Sequence, residues 1–271
     1  MNGLGEAANA IAASESGLLE IRGLIKRFGG VTAVNALDMT VRGGDVHALI
    51  GPNGSGKTTT LNVISALYHA DGGSIRFDGA QLVGMPSHAI AKAGIARTFQ
   101  NIRLFGELSV VENVMIGRHV RTHAGFLSAL VPGGATAREE RATRASAQEL
   151  LAFVGLDGAG DATARSLPYG DQRRVEIARA LASEPRLLLL DEPAAGMNPT
   201  ETDTLIALLR RIRELGTTLL LIEHDMNLVM SVSDRITVLN FGQHIAEGPP
   251  DAIARNPDVI TAYLGGTLDA A

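Results

Sequence analysis

An α/β fold built on a parallel central sheet is predicted by three features of the 271-residue sequence. A glycine-rich loop, GPNGSGKT from Gly51 to Thr58, stands between an apolar stretch, Val46 to Ile50, and a helix-forming one that begins at Lys57. Two wholly apolar runs, Leu187 to Leu190 and Leu219 to Ile222, are too short for helices and fit strands buried on both faces. Between and after those runs the chain carries helix start and stop signals. Its length suits one large α/β domain, or a core with a sizeable insertion.

The elements follow in order. Leu18 to Phe28 reads as a strand ending at the turn Gly29-Gly30, and a strand pair covers Ala36 to Val41 and Val46 to Ile50 across Gly43-Gly44. Behind the loop a helix runs from about Lys57 to Tyr68, and a strand, Ser74 to Phe77, precedes the turn Asp78-Gly79. The middle, roughly 90 to 165, reads as an inserted helical subdomain. Ser109 and Glu112 have capping-box spacing for a helix to about Val120, and Thr136 and Glu139 repeat it for a helix ending near Val154 with Gly155 as C′. Residues 121 to 135 read as an irregular insertion. After Arg186 to Leu190, Asn198, Pro199 and Glu201 supply an N-cap, an N1 proline and an N3 acid for a helix that Gly216 stops. Thr217 to Ile222 is another buried strand, Arg235 to Glu247 a hairpin, and two short helices close the chain. Residues 1–17 and 266–271 read as flexible tails around a domain spanning 18–265.

Composition narrows the function classes. Apolar residues are 45% and charged residues 20%, as in an ordinary globular protein. Aromatics are 4% with no Trp, and the net charge is −5, which argues against a nucleic-acid partner held by stacking or a basic surface. No cysteine is present, so disulfides and thiolate metal sites are excluded. No apolar run approaches the ~18 residues of a membrane span, and the first seventeen residues lack the pattern of a signal peptide. The expectation is a protein inside the cell whose membrane role comes through a partner.

The loop carries the chemistry. Its Gly, four residues, Gly-Lys-Thr pattern binds nucleoside triphosphate phosphates. Gly54 and Gly56 let successive N–H groups face phosphate oxygens, and the following helix offers its N-terminus to the same anion. Lys57 reaches the β- and γ-phosphates, and Thr58 offers a hydroxyl to Mg²⁺. The whole stretch (Gly51, Pro52, Asn53, Gly54, Ser55, Gly56, Lys57, Thr58, Thr59) is the candidate ATP site. An apolar strand ending in an acid should hold Mg²⁺ through water. Leu187 to Asp191 fits it, and Glu192 stands next in line to deprotonate the attacking water.

Before that strand stands LPYGDQRRVEIARAL, Leu167 to Leu181. It resembles the signature motif of ABC-type ATPases, a Leu-Ser-Gly-Gly-Gln sequence at the head of a helix. The resemblance covers residues 18 to 265 and implies a P-loop NTPase fold: a RecA-like core, an antiparallel β subdomain and an inserted α-helical subdomain. It also implies roles. Gln100 in ARTFQNIRLF resembles the Q-loop glutamine, which contacts Mg²⁺ or the water, and His224 in LLIEHD the switch histidine that senses the γ-phosphate. Phe28 resembles the aromatic that stacks on adenine, and Met197-Asn198 occupies the D-loop. The stretch Leu167, Pro168, Tyr169, Gly170, Asp171 is the part that contacts ATP held by the opposite subunit. Here it departs from the family: Pro168 has neither the hydroxyl nor an N–H. That contact must then rest on Gly170 and the helix N-terminus, and Asp171 adds an acid near the phosphate surface.

The strings ARTFQNIRLF, YGDQRRVEIARAL, DEPAAGMNP and GQHIAEGPPDAIARNPDVITAYLG resemble one branch, the LivG-type ATP-binding subunits of branched-chain amino-acid importers. The resemblance implies ATP and Mg²⁺, a second ABC ATPase subunit of the same or a related kind, two integral membrane permease subunits and, indirectly, a solute-binding protein. It implies a place on the cytoplasmic face of the membrane. Phe99, Ile102, Leu104 and Phe105, around the Q-loop, are candidates for a groove receiving the permease. An ATPase of a lipopolysaccharide-type exporter and a non-transport ABC protein of DNA repair or translation remain alternatives.

Overall fold

The computed structural model describes residues 17–118 and 134–265. A six-stranded sheet forms the centre, in the order β10-β9-β3-β8-β7-β6. Its strands are β3 (Val46–Ile50), β6 (Ile95–Arg97), β7 (Leu187–Asp191), β8 (Thr218–Ile222), β9 (Arg235–Asn240) and β10 (Gln243–Gly248). Neighbouring strands are parallel except for the β9–β10 hairpin. Beside it lies an antiparallel sheet in the order β2-β1-β4-β5, made of β1 (Leu19–Phe28), β2 (Val31–Val41), β4 (Gly72–Phe77) and β5 (Ala80–Gln81).

The continuous apolar runs are explained by burial on both faces. Leu188 and Leu190 of β7, with Leu219 and Leu221 of β8, enter the core shared with the helices. Leu187, Leu189, Leu220 and Ile222 face the other way, into a core shared with the antiparallel sheet and α1 (Lys57–Ile64). Each such side chain stabilises the fold by about 2 kcal/mol relative to exposure, so the first acid is admitted only where β7 ends.

The helices after the loop are α2 (Ser87–Ala93), α3 (Val110–Gly117), α4 (Gly134–Phe153), α5 (Tyr169–Leu181), α6 (Pro199–Glu214), α7 (Met226–Val232), α8 (Pro250–Ala254) and α9 (Pro257–Gly265). The capping boxes at Ser109/Glu112 and Asn198/Glu201 form as expected. Gly155 takes φ 75 and closes a Schellman motif, with Leu156 N–H on Leu151 O and Gly155 N–H on Ala152 O.

Several expectations are corrected. The helix behind the loop stops at Ile64, not Tyr68, because Ser65 turns its hydroxyl onto Leu61 O and Ala66 adopts φ 54. β2 begins at Val31, five residues early, since Ala36 at φ 51 and shifts of register bend the strand without ending it. Thr136 lies inside α4 and not at its N-cap, and α3 ends at Gly117. Ile95–Arg97, placed in the helical block, is instead a strand paired with β7 in the central sheet. The expected insertion at 121–135 falls almost wholly outside the described residues, as do the tails apart from Gly17.

Candidate functional site

The glycine-rich loop leaves the end of β3 and enters α1. Gly56, the residue before the helix, has φ 100, and a Cβ there would lie 2.3 Å from the carbonyl oxygen of Ala33. Only glycine fits that approach. Gly54 differs: its φ of 77 favours glycine, but open space surrounds it. A cavity of about 190 Å³ is lined by Ala33, Asn53 to Thr59, Glu192 and His224. The sequence candidates Asn53, Gly54, Ser55, Gly56, Lys57, Thr58, Thr59, Glu192 and His224 are thus brought to one place. Gly51 and Pro52 sit just behind, and their carbonyl oxygens accept from Lys57 Nζ at 2.8 and 2.9 Å. Burial pushes the Lys57 ammonium below its ordinary pKa, opposed by the nearby Glu192 and Asp191 carboxylates.

Glu192 follows β7 at φ 49, a left-handed conformation uncommon for glutamate. One carboxylate oxygen accepts from Gln100 Nε2 at 2.7 Å, and the other lies 2.9 Å from His224 Nε2. The glutamine reaches it from the loop after β6 and the histidine from the loop after β8, the two strands flanking β7. Residues scattered over more than a hundred positions therefore meet at one carboxylate.

Asp191 lies behind them, 2% exposed. Its Oδ2 pairs with Arg97 Nη2 at 2.9 Å, while its Oδ1 is buried without a protein partner. Desolvation raises its pKa above the ordinary value, and Arg97 works against that rise. The same guanidinium donates to Asn62 Oδ1 and Ser65 Oγ of the first helix and the turn after it, both at 2.8 Å.

Two groups of candidates stay apart from the cavity. Phe28 is 43% exposed at the end of β1, edge-on to Tyr68 with ring centroids 5.2 Å apart, and lines no part of the cavity. Leu167 to Asp171 lie at the head of α5. Pro168 is the N-cap of that helix at φ −54 and ψ 155, with no capping side chain. Leu167 packs against the core and Tyr169 is exposed. Asp171 does not present a free charge: Arg174 Nη2 pairs with it at 2.5 Å within the same helical turn.

Sequence reasoning missed four charged residues around the site. Arg97 is one. Glu223 is another: its buried carboxylate accepts from the N–H groups of Ala194 at 2.7 Å and His224 at 2.9 Å. It thereby ties the loop after β7 to the one after β8. Arg173 and Glu176 of α5 are the others, buried at 0% and 1%. A signal existed for Arg97, Glu176 and Glu223, each of which interrupts an apolar or small-residue run: Ile95-Ala96, Val175-Ile177 and Leu219 to Ile222.

Among the described residues, no helix is long and apolar enough to cross a membrane. No group of three or more His, Asp or Glu side chains forms a metal cage among them either.

Comparison with known proteins gives the family. The model described as ABC transporter matches residues 34–195, and one described as branched-chain amino acid ATP-binding cassette transporter matches 243–269. The chain is 49% identical over 249 residues to the high-affinity branched-chain amino acid transport ATP-binding protein BraF of Pseudomonas aeruginosa, spanning 92% of this chain and 98% of that protein. It is 45% identical to the corresponding LivG protein of Escherichia coli K12 over the same shares. Among solved structures, the ADP conformation of an ATP-binding cassette of an ABC transporter superposes with a TM-score of 0.80 at 31% identity, covering 92% of this chain and 98% of that one. A dimeric post-hydrolysis cassette bound to ADP and Pi matches with a TM-score of 0.73 at 25% identity, covering 86% and 98%. A nucleotide loop at the end of a parallel strand, the three strands that converge on Glu192, and relatives nearly half identical along their whole lengths agree: this chain belongs to the ATP-binding subunits of the ABC transporter family.

Proposed function

We propose that this chain is the ATP-hydrolysing subunit of an importer for branched-chain or related hydrophobic amino acids. It would work at the cytoplasmic face of the membrane, paired with a second ATPase subunit and docked on two permeases that receive solute from a binding protein. The observation that carries the ATPase reading is Glu192, held between Gln100 and His224 on the wall of the loop cavity. The solute class rests on the match of residues 243–269 and on the names of the relatives. No nucleic-acid partner is proposed.

In this reading the amides and side chains of Gly51 to Thr59 hold the phosphates. Lys57 leaves the two loop carbonyls for the β- and γ-phosphate oxygens, exchanging two neutral acceptors for charged ones. Phe28 offers an exposed ring to the base. Glu192 takes the proton of the attacking water, Gln100 orients it, and His224 answers to the γ-phosphate. Thr58, Gln100 and Asp191 suit Mg²⁺: Asp191 Oδ1 is a buried acceptor without a protein partner, and Mg²⁺ is commonly held by one or two carboxylates, water and substrate phosphates and not by a protein cage. Bound there, the ion would neutralise phosphate charge. Leu167 to Asp171 would reach ATP held by the partner subunit, chiefly through Gly170 and the α5 N-terminus, because Pro168 offers no donor.

A groove of about 390 Å³ beside the Q-loop is lined by Phe99 and Phe105, with Ile90, Ile116 and Arg179. It is the proposed seat for a cytoplasmic segment of the permease, between the core and the helical subdomain assigned to about 90–165. Of the four apolar Q-loop residues, Phe99 and Phe105 face this groove, Ile102 is not among its lining, and Leu104 packs against the main core.

Substitution tests the reaction. Glu192→Gln should lower turnover about 10²- to 10⁴-fold with nucleotide binding retained, and Lys57→Ala should lose binding. Wild-type turnover in Glu192→Gln would sink the catalytic assignment. Copurification with permeases and a solute-binding protein, and ATPase stimulated by leucine-like solutes in vesicles, would test the transport assignment.

A further inference from the structure

Residues 99–103, which carry Gln100 toward Glu192, follow β6 as irregular chain, and their backbone groups need partners. Five of those groups are met by side chains of one helix. Arg173 donates to Phe99 O at 2.6 Å and to Gln100 O at 2.7 Å. Glu176 Oε1 accepts from Phe99 N–H at 3.5 Å and Arg103 N–H at 3.4 Å, and Arg179 donates to Arg103 O at 2.5 Å. The three side chains recur every third residue, so they share one side of α5. Arg173 and Glu176 also pair with each other at 2.6 Å. Desolvation raises the Glu176 pKa, and the flanking arginines oppose that rise.

A buried ion pair contributes little net stability compared with apolar side chains of the same volume. Its merit here is directional: a guanidinium fork and a carboxylate fix the position of a backbone that no sheet or helix holds. We infer that Arg173, Glu176 and Arg179 are positioning residues that set where Gln100 meets Glu192. This rests on the reading of Gln100 and Glu192 given above.

The test uses the purified full-length chain. Arg173→Met/Glu176→Met replaces the pair with apolar side chains of similar size and keeps the helix packed. Affinity for a fluorescent ATP analogue should stay within about twofold, while kcat falls about tenfold to a hundredfold, the scale of an ångström's misplacement of a catalytic group. Amide hydrogen exchange should quicken at 99–103 and stay slow in β7. Arg173→Lys, which keeps the charge but loses the fork, should give a smaller fall in kcat and does not depend on the double variant folding. Glu176→Gln, which keeps an acceptor for the two amides, should recover most of the rate lost in Glu176→Ala. Gln100→Ala separates the two layers of the argument. If it is slow while Arg173→Met/Glu176→Met and Arg173→Lys turn over normally, the positioning role falls alone. If Gln100→Ala itself turns over normally, the reading of Gln100 falls and the positioning role with it.

Discussion

Replacing Arg97 by leucine removes a guanidinium from a site where its side chain is 6% exposed and that of its partner Asp191 is 3% exposed. At their 2.9 Å separation and an effective dielectric of ~20, the attraction is about 6 kcal/mol, much of it offset by the desolvation of both ions. Removing one partner of a buried pair costs about 3–5 kcal/mol because the other charge stays behind. Asn62 and Ser65 each lose a donor as well, worth about 1 kcal/mol apiece where buried. A loss of about 5–7 kcal/mol is therefore expected, read as a shift in urea unfolding. Adding Asp191→Asn should return more than half of it. The loss should also depend on pH. Burial holds the Asp191 pKa above its unfolded value, and without Arg97 it rises further. Between the unfolded and folded values the native chain binds more protons than the unfolded one, so stability falls as pH rises through that window. The deficit of Arg97→Leu should be larger near about pH 7.5 than near about pH 5. A loss under about 1 kcal/mol, or a double variant no more stable than Arg97→Leu, would refute the argument.

Three further outcomes are expected. His47 is fully buried against Thr237, and desolvation lowers its pKa from 6.5 to about 4. The unfolded chain binds the extra proton, so about 3 kcal/mol of stability present above pH 6.5 is lost as pH falls toward about 4. His47→Leu should flatten that dependence, and parallel pH profiles for the two proteins would contradict it. Gly54→Ala should cost about 1–2 kcal/mol, for backbone strain alone. Gly56→Ala must also displace the Ala33 carbonyl, so it should unfold at lower temperature and bind nucleotide more weakly than Gly54→Ala. Phe105 is 53% exposed at the groove, and Phe105→Glu should change stability by less than about 0.5 kcal/mol while reducing recovery of the subunit with permease-containing membranes.

The glycine-rich loop, the buried strands and the helix caps at Ser109 and Asn198 were legible because each is written within a dozen consecutive residues. Glu192 is singled out by its place directly after the apolar strand that ends in Asp191, whereas Gln100 and His224 are singled out only through a resemblance, since nothing local distinguishes them from ordinary polar residues at strand ends. β6 escaped because three residues carry no usable period, and its pairing partner β7 lies ninety positions away. The charged clamp on residues 99–103 escaped for the same reason. Arg173 sits in a run of polar and basic residues that reads as a solvated face, and only the folded chain buries it. The early end of α1 is local, yet it turns on one hydroxyl of Ser65 choosing the helix's own carbonyl.

The left-handed backbone at Glu192 has a consequence for how this site can change. A glutamate there costs about 1–2 kcal/mol that glycine would not. Glu192→Gly would relieve that strain, but it would also remove the carboxylate that holds Gln100 and His224, at about 1 kcal/mol for each hydrogen bond. The strained backbone and the two loops flanking β7 are thus joined through one side chain, so a change at this position reaches the loops after β6 and β8 together.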